Sequence, residues 1–266
     1  MDAIQAIVLA IVQGLSEFLP ISSSGHLILL PRAFGWPDQG LAFDVALHVG
    51  TLAAVLGYFR RELLAMAGAW FGSLAGRRLT PDGRLAWCIV LGTLPVGIVG
   101  LLFNDLIESM LRNPLFVAGT LSVFGVLMWL ADWLGAERRD EQSIGWRDAL
   151  LIGCAQALAL MPGTSRSGVT MTMGRGLGLT RPAAARFSFL LAVPGIAMAG
   201  GYELLQLLRG PGDGVPWGLM ALGALVAAAT GYLCIHALLR IIARLGLWPF
   251  TLYRLMIATL IVLVYT

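Results

Sequence analysis

The sequence predicts an all-α polytopic membrane protein, with six transmembrane helices and two re-entrant helical hairpins arranged as an inverted repeat. Three observations carry that prediction. The 266 residues are 58% hydrophobic and only 12% charged, with a mean hydropathy of +0.82, so most of the chain must treat lipid as its solvent. Six apolar runs of roughly 20 residues recur along it. Two further apolar regions are interrupted by clusters of Pro, Gly and Ser.

The six spans run from Leu41 to Phe59, Leu85 to Phe103, Leu115 to Leu134, Ala183 to Leu205, Trp217 to Leu239 and Leu247 to Tyr265. Each can cross a hydrocarbon core about 30 Å thick at about 1.5 Å per helical residue. Backbone polar groups in lipid must be satisfied within the segment, which selects helices over open strands. The shorter stretch Glu62 to Gly76 carries Gly68, Gly72 and Gly76 at spacing four and reads as a helix at the interface or against a neighbour.

The interrupted regions are of another kind. Ala3 to Ser16 leads into Glu17-Phe-Leu-Pro-Ile-Ser-Ser-Ser-Gly-His26 and then further apolar residues to Pro31. Ala149 to Met161 leads into Pro162-Gly-Thr-Ser-Arg-Ser-Gly168 and a weakly apolar stretch to Leu179. Each half is too short to span, and each joint is rich in helix breakers. Irregular backbone at membrane depth persists only inside protein or beside a wet cavity, so both read as re-entrant hairpins with polar tips turned inward.

All 18 basic residues are arginine, set in short clusters between apolar runs, a topology signal and not a nucleic-acid surface. Arg60, Arg61, Arg77, Arg78, Arg84, Arg138, Arg139, Arg147, Arg175, Arg181, Arg186, Arg240 and Arg244 fall on one side, against Arg32, Arg112 and Arg209 on the other. The richer side is assigned to the cytoplasm, which places both termini outside. The first hairpin then enters from the outer face and the second from the cytoplasm. No basic region of a cleavable leader precedes Met1-Asp-Ala-Ile-Gln5. Cys88, Cys154 and Cys234 lie in separate apolar runs without C-x-x-C spacing and read as small core residues.

The chain forms one membrane domain, 1–266, whose halves, approximately 1–135 and 145–266, repeat. Gln13 and Leu15 match Gln156 and Leu158 at an offset of 143, and Ser22, Ser24 and Gly25 match Ser165, Ser167 and Gly168 at the same offset. Pro20 and Pro162 miss by one. Three spans follow each hairpin, and an odd number inverts the second copy, which brings the two tips face to face near the midplane.

The tips carry the chemistry. Gln13 and Glu17 share a helix face, and an ionisable group at membrane depth is a functional candidate. Ser22, Ser23 and Ser24 open the second half-helix, where a serine can cap and free N–H groups can hold an anion. His26, three residues beyond Ser23, is a candidate acid/base group. Across from them, Gly163, Thr164, Ser165, Arg166, Ser167 and Gly168 offer backbone donors, hydroxyls and a guanidinium suited to phosphate oxygens. Such a set fits phosphoryl transfer, in which positioning and charge stabilisation dominate. No Lys follows Gly163 to Gly168, so this is not a Walker A loop.

Gln13-Gly-Leu-Ser-Glu-Phe-Leu-Pro-Ile-Ser-Ser-Ser-Gly-His26 and Pro162-Gly-Thr-Ser-Arg-Ser-Gly168 resemble the signature stretches of the undecaprenyl-diphosphatases linked to bacitracin resistance. The likeness extends over essentially the whole chain. It implies a hydrolase of the bacterial cytoplasmic (inner) membrane that cleaves the terminal phosphate from undecaprenyl pyrophosphate. The undecaprenyl phosphate returns to peptidoglycan synthesis, and a divalent cation, Mg²⁺ or Ca²⁺, assists. It implies a site open to the outer face. The family's (E/Q)-x-x-x-E motif falls on Gln13 and Glu17, with Gln13 supporting the site where many members carry Glu. Its serine falls on Ser23, its histidine on His26 and its arginine on Arg166. By that resemblance Ser23 is the candidate nucleophile, His26 its base and later acid, and Glu17 a metal ligand or base. Arg166 holds the pyrophosphate with Gln13, Ser22, Ser24, Gly163, Thr164, Ser165, Ser167 and Gly168 around it. A water nucleophile, with Ser23 binding phosphate, stands as the alternative.

Three readings compete. A polyprenyl-phosphate flippase, alone or combined with hydrolysis, shares the inverted-repeat architecture. The lipid phosphatases with P-S-G-H and S-R-x₅-H-x₃-D signatures are echoed by Ser24-Gly25-His26 and Ser165-Arg166, yet Thr172 and Gly176 stand where His and Asp belong. A purely structural membrane protein has no use for so many polar groups at depth. Partners are the lipid substrate and bilayer lipids, with a homodimer left open. Asp44, His48, Asp132, Glu203, His236 and Arg254 also fall in or near spans and read as snorkelling or paired groups. Asp44 and His48 are four apart and follow the first hairpin, where they could line the cavity; neither is assigned to catalysis.

Overall fold

The computed structural model describes residues 1–110, 113–209 and 217–265, with side chains described except at 104–110, 203, 204 and 206–209. Arg112 therefore lies outside the described residues, as do the side chains of Glu203 and Arg209. Eleven α-helices account for almost all of it: α1 (Ala3–Ser16), α2 (Ser23–Phe34), α3 (Leu41–Tyr58), α4 (Arg60–Leu74), α5 (Pro81–Met110), α6 (Pro114–Leu134), α7 (Trp146–Ala157), α8 (Arg166–Gly176), α9 (Arg181–Arg209), α10 (Trp217–Leu245) and α11 (Trp248–Tyr265). Among the described residues the only extended pairing is an isolated bridge between Arg139 and Leu179.

Six helices are long and apolar enough to cross a membrane, within Leu41–Tyr58, Pro81–Phe103, Pro114–Leu134, Arg181–Tyr202, Trp217–Leu245 and Trp248–Tyr265. They match the six runs read from sequence to within a few residues. Their outward faces are apolar, as at Leu101, Trp133, Leu225 and Leu263. A chain whose solvent is lipid gains nothing by hiding such residues. Cys88 and Cys234 are buried as expected, but Cys154 lies on the exposed face of α7, since a small thiol is as content against lipid as in a core.

Helix-to-helix contact relies on small residues. A β-carbon on Gly153 of α7 would come 2.3 Å from the Gly92 carbonyl oxygen of α5, and one on Gly50 of α3 would come 2.3 Å from the Ala224 oxygen of α10. Backbones approach that closely only where side chains are absent. The Gly68, Gly72 and Gly76 series does not work this way. Gly68 and Gly76 meet nothing within 4 Å, and Gly72 touches only Arg77. Instead α4 leans on α5 through Trp87, whose indole N–H donates to Ser73 Oγ at 3.0 Å.

The two short pairs, α1–α2 and α7–α8, pack onto the long helices. α1 packs on α10, α7 on α5, and α8 on α6. At the far end of α8, Asp132 of α6 takes Arg175 Nε at 2.9 Å, Arg181 Nε at 2.8 Å and the Leu247 N–H at 3.0 Å. Both Asp132 carboxylate oxygens are thereby engaged, and with Glu137, which also pairs with Arg175 and Arg181, the charges close a junction among α6, α8, α9 and the start of α11.

Candidate active site

Both short pairs break in the same way. α1 ends at Ser16 and α2 begins at Ser23, while α7 ends at Ala157, passes through a 3₁₀ turn at Leu158–Leu160, and α8 begins at Arg166. Ser22 and Ser165, each immediately before the second helix, are the only non-glycine residues with positive φ among the described residues, and both have φ 73°. A left-handed L-residue costs roughly 1–2 kcal/mol, which the surrounding packing must hold. Each pairs its hydroxyl with the serine two residues on, Ser22 with Ser24 at 3.4 Å and Ser165 with Ser167 at 3.3 Å. Ser165 Oγ also accepts the Gly168 N–H at 3.2 Å and caps α8, whereas Ser22 makes no side-chain cap to α2.

The first break supplies a hydroxyl and a carboxylate. Ser23 Oγ donates to Glu17 Oε2 at 2.8 Å, and Gln13 Nε2 donates to the same oxygen at 3.2 Å. The second break answers with a cation: Arg166 Nη2 lies 3.2 Å from Glu17 Oε1, and Arg166 Nη1 donates to the Ser188 carbonyl at 3.0 Å. Glu17 is 8% exposed, so its charge is balanced chiefly by that guanidinium. Ser167 Oγ donates to the Leu19 carbonyl at 3.0 Å and ties the turns a second time.

His26 is placed differently from Ser23. Its Nδ1 stands 2.7 Å from the Ser22 carbonyl oxygen, which can only accept, so Nδ1 carries the proton. Nε2 then accepts the Tyr253 hydroxyl at 2.6 Å, and the two rings stack with centroids 5.5 Å apart. Ser23 and His26 share a helix but turn to different partners. Ser24 is exposed, while Thr164 and Gly168 are buried. Gly163 has φ +87° and sits so close to α6 that a β-carbon there would lie 2.3 Å from Thr120 Oγ1. No larger residue fits that turn.

Arg254 was read from sequence only as one more intramembrane charge. It is fully buried and makes no ion pair among the described residues. Its guanidinium reaches the Pro20 carbonyl of the first break at 3.3 Å, the Gly163 and Thr164 carbonyls of the second at 3.0 Å, and the Leu121 carbonyl of α6 at 3.1 Å. The signal was present: Arg254 is the single charge in the run Trp248–Tyr265. Of the other polar groups in spans, His48 donates Nδ1 to the Asp44 carbonyl at 2.8 Å, and the Asp44 carboxylate takes Gln39 Nε2 at 2.9 Å. His236 lies 3.4 Å from the Tyr58 hydroxyl.

Gln13 Oε1 is buried beside Glu17 with no hydrogen-bond partner, an oxygen of the kind hard cations take. Among the described residues no group of three His, Cys, Asp or Glu could hold a metal. Glu17 and Gln13 are therefore the oxygen donors at this break that a hard cation could take.

Comparison with known proteins sets this geometry in context. The chain is 55% identical over 265 residues to an undecaprenyl-diphosphatase of Thioalkalivibrio sulfidiphilus, covering 100% of both chains. It is 55% identical over 269 residues to undecaprenyl-diphosphatase 2 of Stutzerimonas stutzeri, covering 100% of this chain and 99% of that one. An undecaprenyl-diphosphatase of Campylobacter concisus is 46% identical over 265 residues and the full length of both. The family described as bacitracin resistance protein BacA matches residues 6–260, and this chain belongs to it.

Proposed function

We propose that this protein hydrolyses undecaprenyl pyrophosphate to undecaprenyl phosphate and inorganic phosphate, with the chemistry at the meeting point of the two breaks. One observation carries the assignment of groups: the Ser23 hydroxyl hydrogen-bonded at 2.8 Å to Glu17, itself paired with Arg166 from the other half of the chain. The activity is that of the full-length relatives.

In the reaction, Ser23 Oγ attacks the terminal phosphorus in line with the bridging oxygen and passes its proton to Glu17. The P–O bond to the bridging oxygen breaks, and its electron pair leaves with undecaprenyl phosphate, an anion that needs little protonation. Water then displaces phosphate from Ser23, and the serine recovers its proton from Glu17. If water attacks directly, Glu17 accepts the proton of water and Ser23 holds a phosphate oxygen. Both routes use the same acceptor, and the hydrogen-bond pattern favours Glu17 over His26 for that role. His26, with Nδ1–H on Ser22 and Nε2 on Tyr253, holds the start of α2 in place. Arg166 and the N–H groups opening α2 and α8 bind the pyrophosphate oxygens. Glu17 and Gln13 would hold a divalent cation, which would supply charge neutralisation to the transferring phosphoryl group.

The breaks are read as the tips of two re-entrant hairpins in an inverted repeat of halves 1–135 and 145–266. Equal φ at Ser22 and Ser165, the matching serine pairs, and the packing of α1 on α10 and α7 on α5 support that reading. The arginine distribution supports termini outside, and the family resemblance supports a site open toward the outer face of the cytoplasmic membrane. A carrier without chemistry has no use for a serine–carboxylate contact, so hydrolysis is preferred to flipping alone. Phosphate release from undecaprenyl pyrophosphate by the purified protein in detergent tests the function, and acid quench with labelled terminal phosphate tests the route. Label on Ser23 is expected; folded protein that releases no phosphate would overturn the assignment.

A further inference from the structure

Seven buried side-chain atoms lack a hydrogen-bond partner among the described residues: Gln13 Oε1, Gln39 Oε1, Trp70 Nε1, both amide atoms of Gln156, Thr164 Oγ1 and Arg166 Nε. Five of them belong to the two broken pairs. Leaving polar groups buried and unmade is costly, and such clusters mark places where something else completes the bonding. Gln13, Thr164 and Arg166 already have a place in the site. Gln156 does not. It is 1% exposed, and neither its oxygen nor its nitrogen has a partner.

The repeat shows what is missing. Gln156 is the counterpart of Gln13 at the offset of 143, Arg166 that of Ser23, and Leu160 that of Glu17. In the first copy Glu17 Oε2 lies between two donors, Gln13 Nε2 at 3.2 Å and Ser23 Oγ at 2.8 Å. In the second copy the donors persist as Gln156 Nε2 and Arg166 Nε, both buried and both unpartnered, while the position of the carboxylate holds an apolar side chain. One copy carries its own anion, and the other is built for an anion that arrives.

We infer that Gln156 is a substrate-binding residue whose amide N–H, with Arg166 Nε, takes a phosphate oxygen of the pyrophosphate in the place that Glu17 Oε2 fills in the first copy. The inference rests on the phosphatase reading for its ligand and on this chain's own unpaired atoms for its position. It also accounts for Leu160, because a carboxylate there would repel the substrate.

Two variants and two measurements test it. Gln156→Leu removes the unpaired amide at similar volume, so the melting temperature of the ligand-free protein should hold or rise. The KM for undecaprenyl pyrophosphate should rise about tenfold or more, as for loss of a hydrogen bond to a charged group. Gln156→Glu replaces the amide donor by an acceptor-only carboxylate, which would repel the pyrophosphate oxygen, and should weaken binding further. Affinity for inorganic pyrophosphate, read by calorimetry without turnover, should fall in parallel. Wild-type KM and pyrophosphate affinity in both folded variants would overturn the inference, as would a drop in melting temperature for Gln156→Leu with KM unchanged. If wild-type protein binds pyrophosphate in a Gln156-dependent way yet releases no phosphate from the lipid, the phosphatase reading fails and the binding role of Gln156 stands.

Discussion

Arg166 Nη2 and Glu17 Oε1 meet at 3.2 Å although 149 positions separate them in the chain. Each is the other's principal charge partner in a setting nearly closed to solvent, so removing one leaves the other buried and uncompensated. Arg166→Lys keeps the charge but loses the planar fork that serves both Glu17 and the Ser188 carbonyl. Glu17→Gln keeps the shape but cannot accept the serine proton as a base. Both should lower kcat/KM for phosphate release by at least about a hundredfold, the usual scale for losing a positioned proton acceptor or anion clamp. Lys at 166 retaining near wild-type turnover would argue that the guanidinium acts only as a structural counter-ion.

Ser22 and Ser165 share φ 73° but differ in what their hydroxyls do, and their glycine variants should separate accordingly. Ser22 caps nothing through its side chain, so Ser22→Gly relieves a left-handed strain and should raise stability by up to about 1 kcal/mol. Ser165→Gly gains the same relief but loses the Oγ bond to the Gly168 N–H, which on replacement by glycine costs a few tenths of a kcal/mol, so its gain should be the smaller of the two. Unfolding midpoints in detergent read both. Equal shifts in the two variants would show that the cap at Ser165 contributes nothing.

Outside the spans, the loop before α7 is latched by Arg139, whose guanidinium donates to Asp148, to the Leu177 carbonyl and to the Ser143 carbonyl. Burial pushes the Asp148 carboxyl up, but Arg139 and the Gly145 N–H more than offset this and hold it below the ordinary carboxylate range. A carboxylate depressed in the folded state stabilises above its unfolded pKa, near 4, and loses that contribution as pH falls through the folded value. Asp148→Asn should therefore flatten the acid side of the stability–pH curve while leaving the shape near neutrality unchanged. A variant whose acid limb overlays that of the wild type would show that the latch does not couple to folding.

The sequence made the six spans and both breaks readable because lipid imposes simple rules: long apolar runs, and irregular backbone only where Pro, Gly and Ser gather. It also made Gln13, Glu17, Ser23 and Arg166 readable, since each is polar where depth penalises polarity. What it could not settle was pairing. Ser23 and His26 sit three apart on one helix, and spacing alone suggests that they work together. Their partners, Glu17 and Tyr253, are chosen by the turn at Ser22 and by where α11 crosses, which are long-range outcomes. The glycine spacing told of a helix against a neighbour but not of the face it uses, since α4 meets α5 through Ser73 and Trp87 and not through Gly68 or Gly72.

Arg254 shows how far a buried charge can serve geometry. All its polar contacts among the described residues are backbone carbonyls, from Pro20 on one break, Gly163 and Thr164 on the other, and Thr120 and Leu121 on α6. It therefore sets the distance between the breaks, and with it the reach from Ser23 across Glu17 to Arg166. Arg254→Met fits the space but orphans those carbonyls, and because an unsatisfied buried acceptor costs about 1–3 kcal/mol, a clear destabilisation is expected. Arg254→Lys keeps a charge and three donors on one atom, which cannot reach both breaks together, so it should fold better than the Met variant and still lose turnover. The decisive comparison is kcat against KM in Arg254→Lys at a temperature where it is fully folded. A fall in kcat with little change in KM marks misalignment of the reacting groups, whereas wild-type kcat with a lowered melting temperature would show that Arg254 supports the fold and leaves the alignment of the site to Ser167 and Leu19.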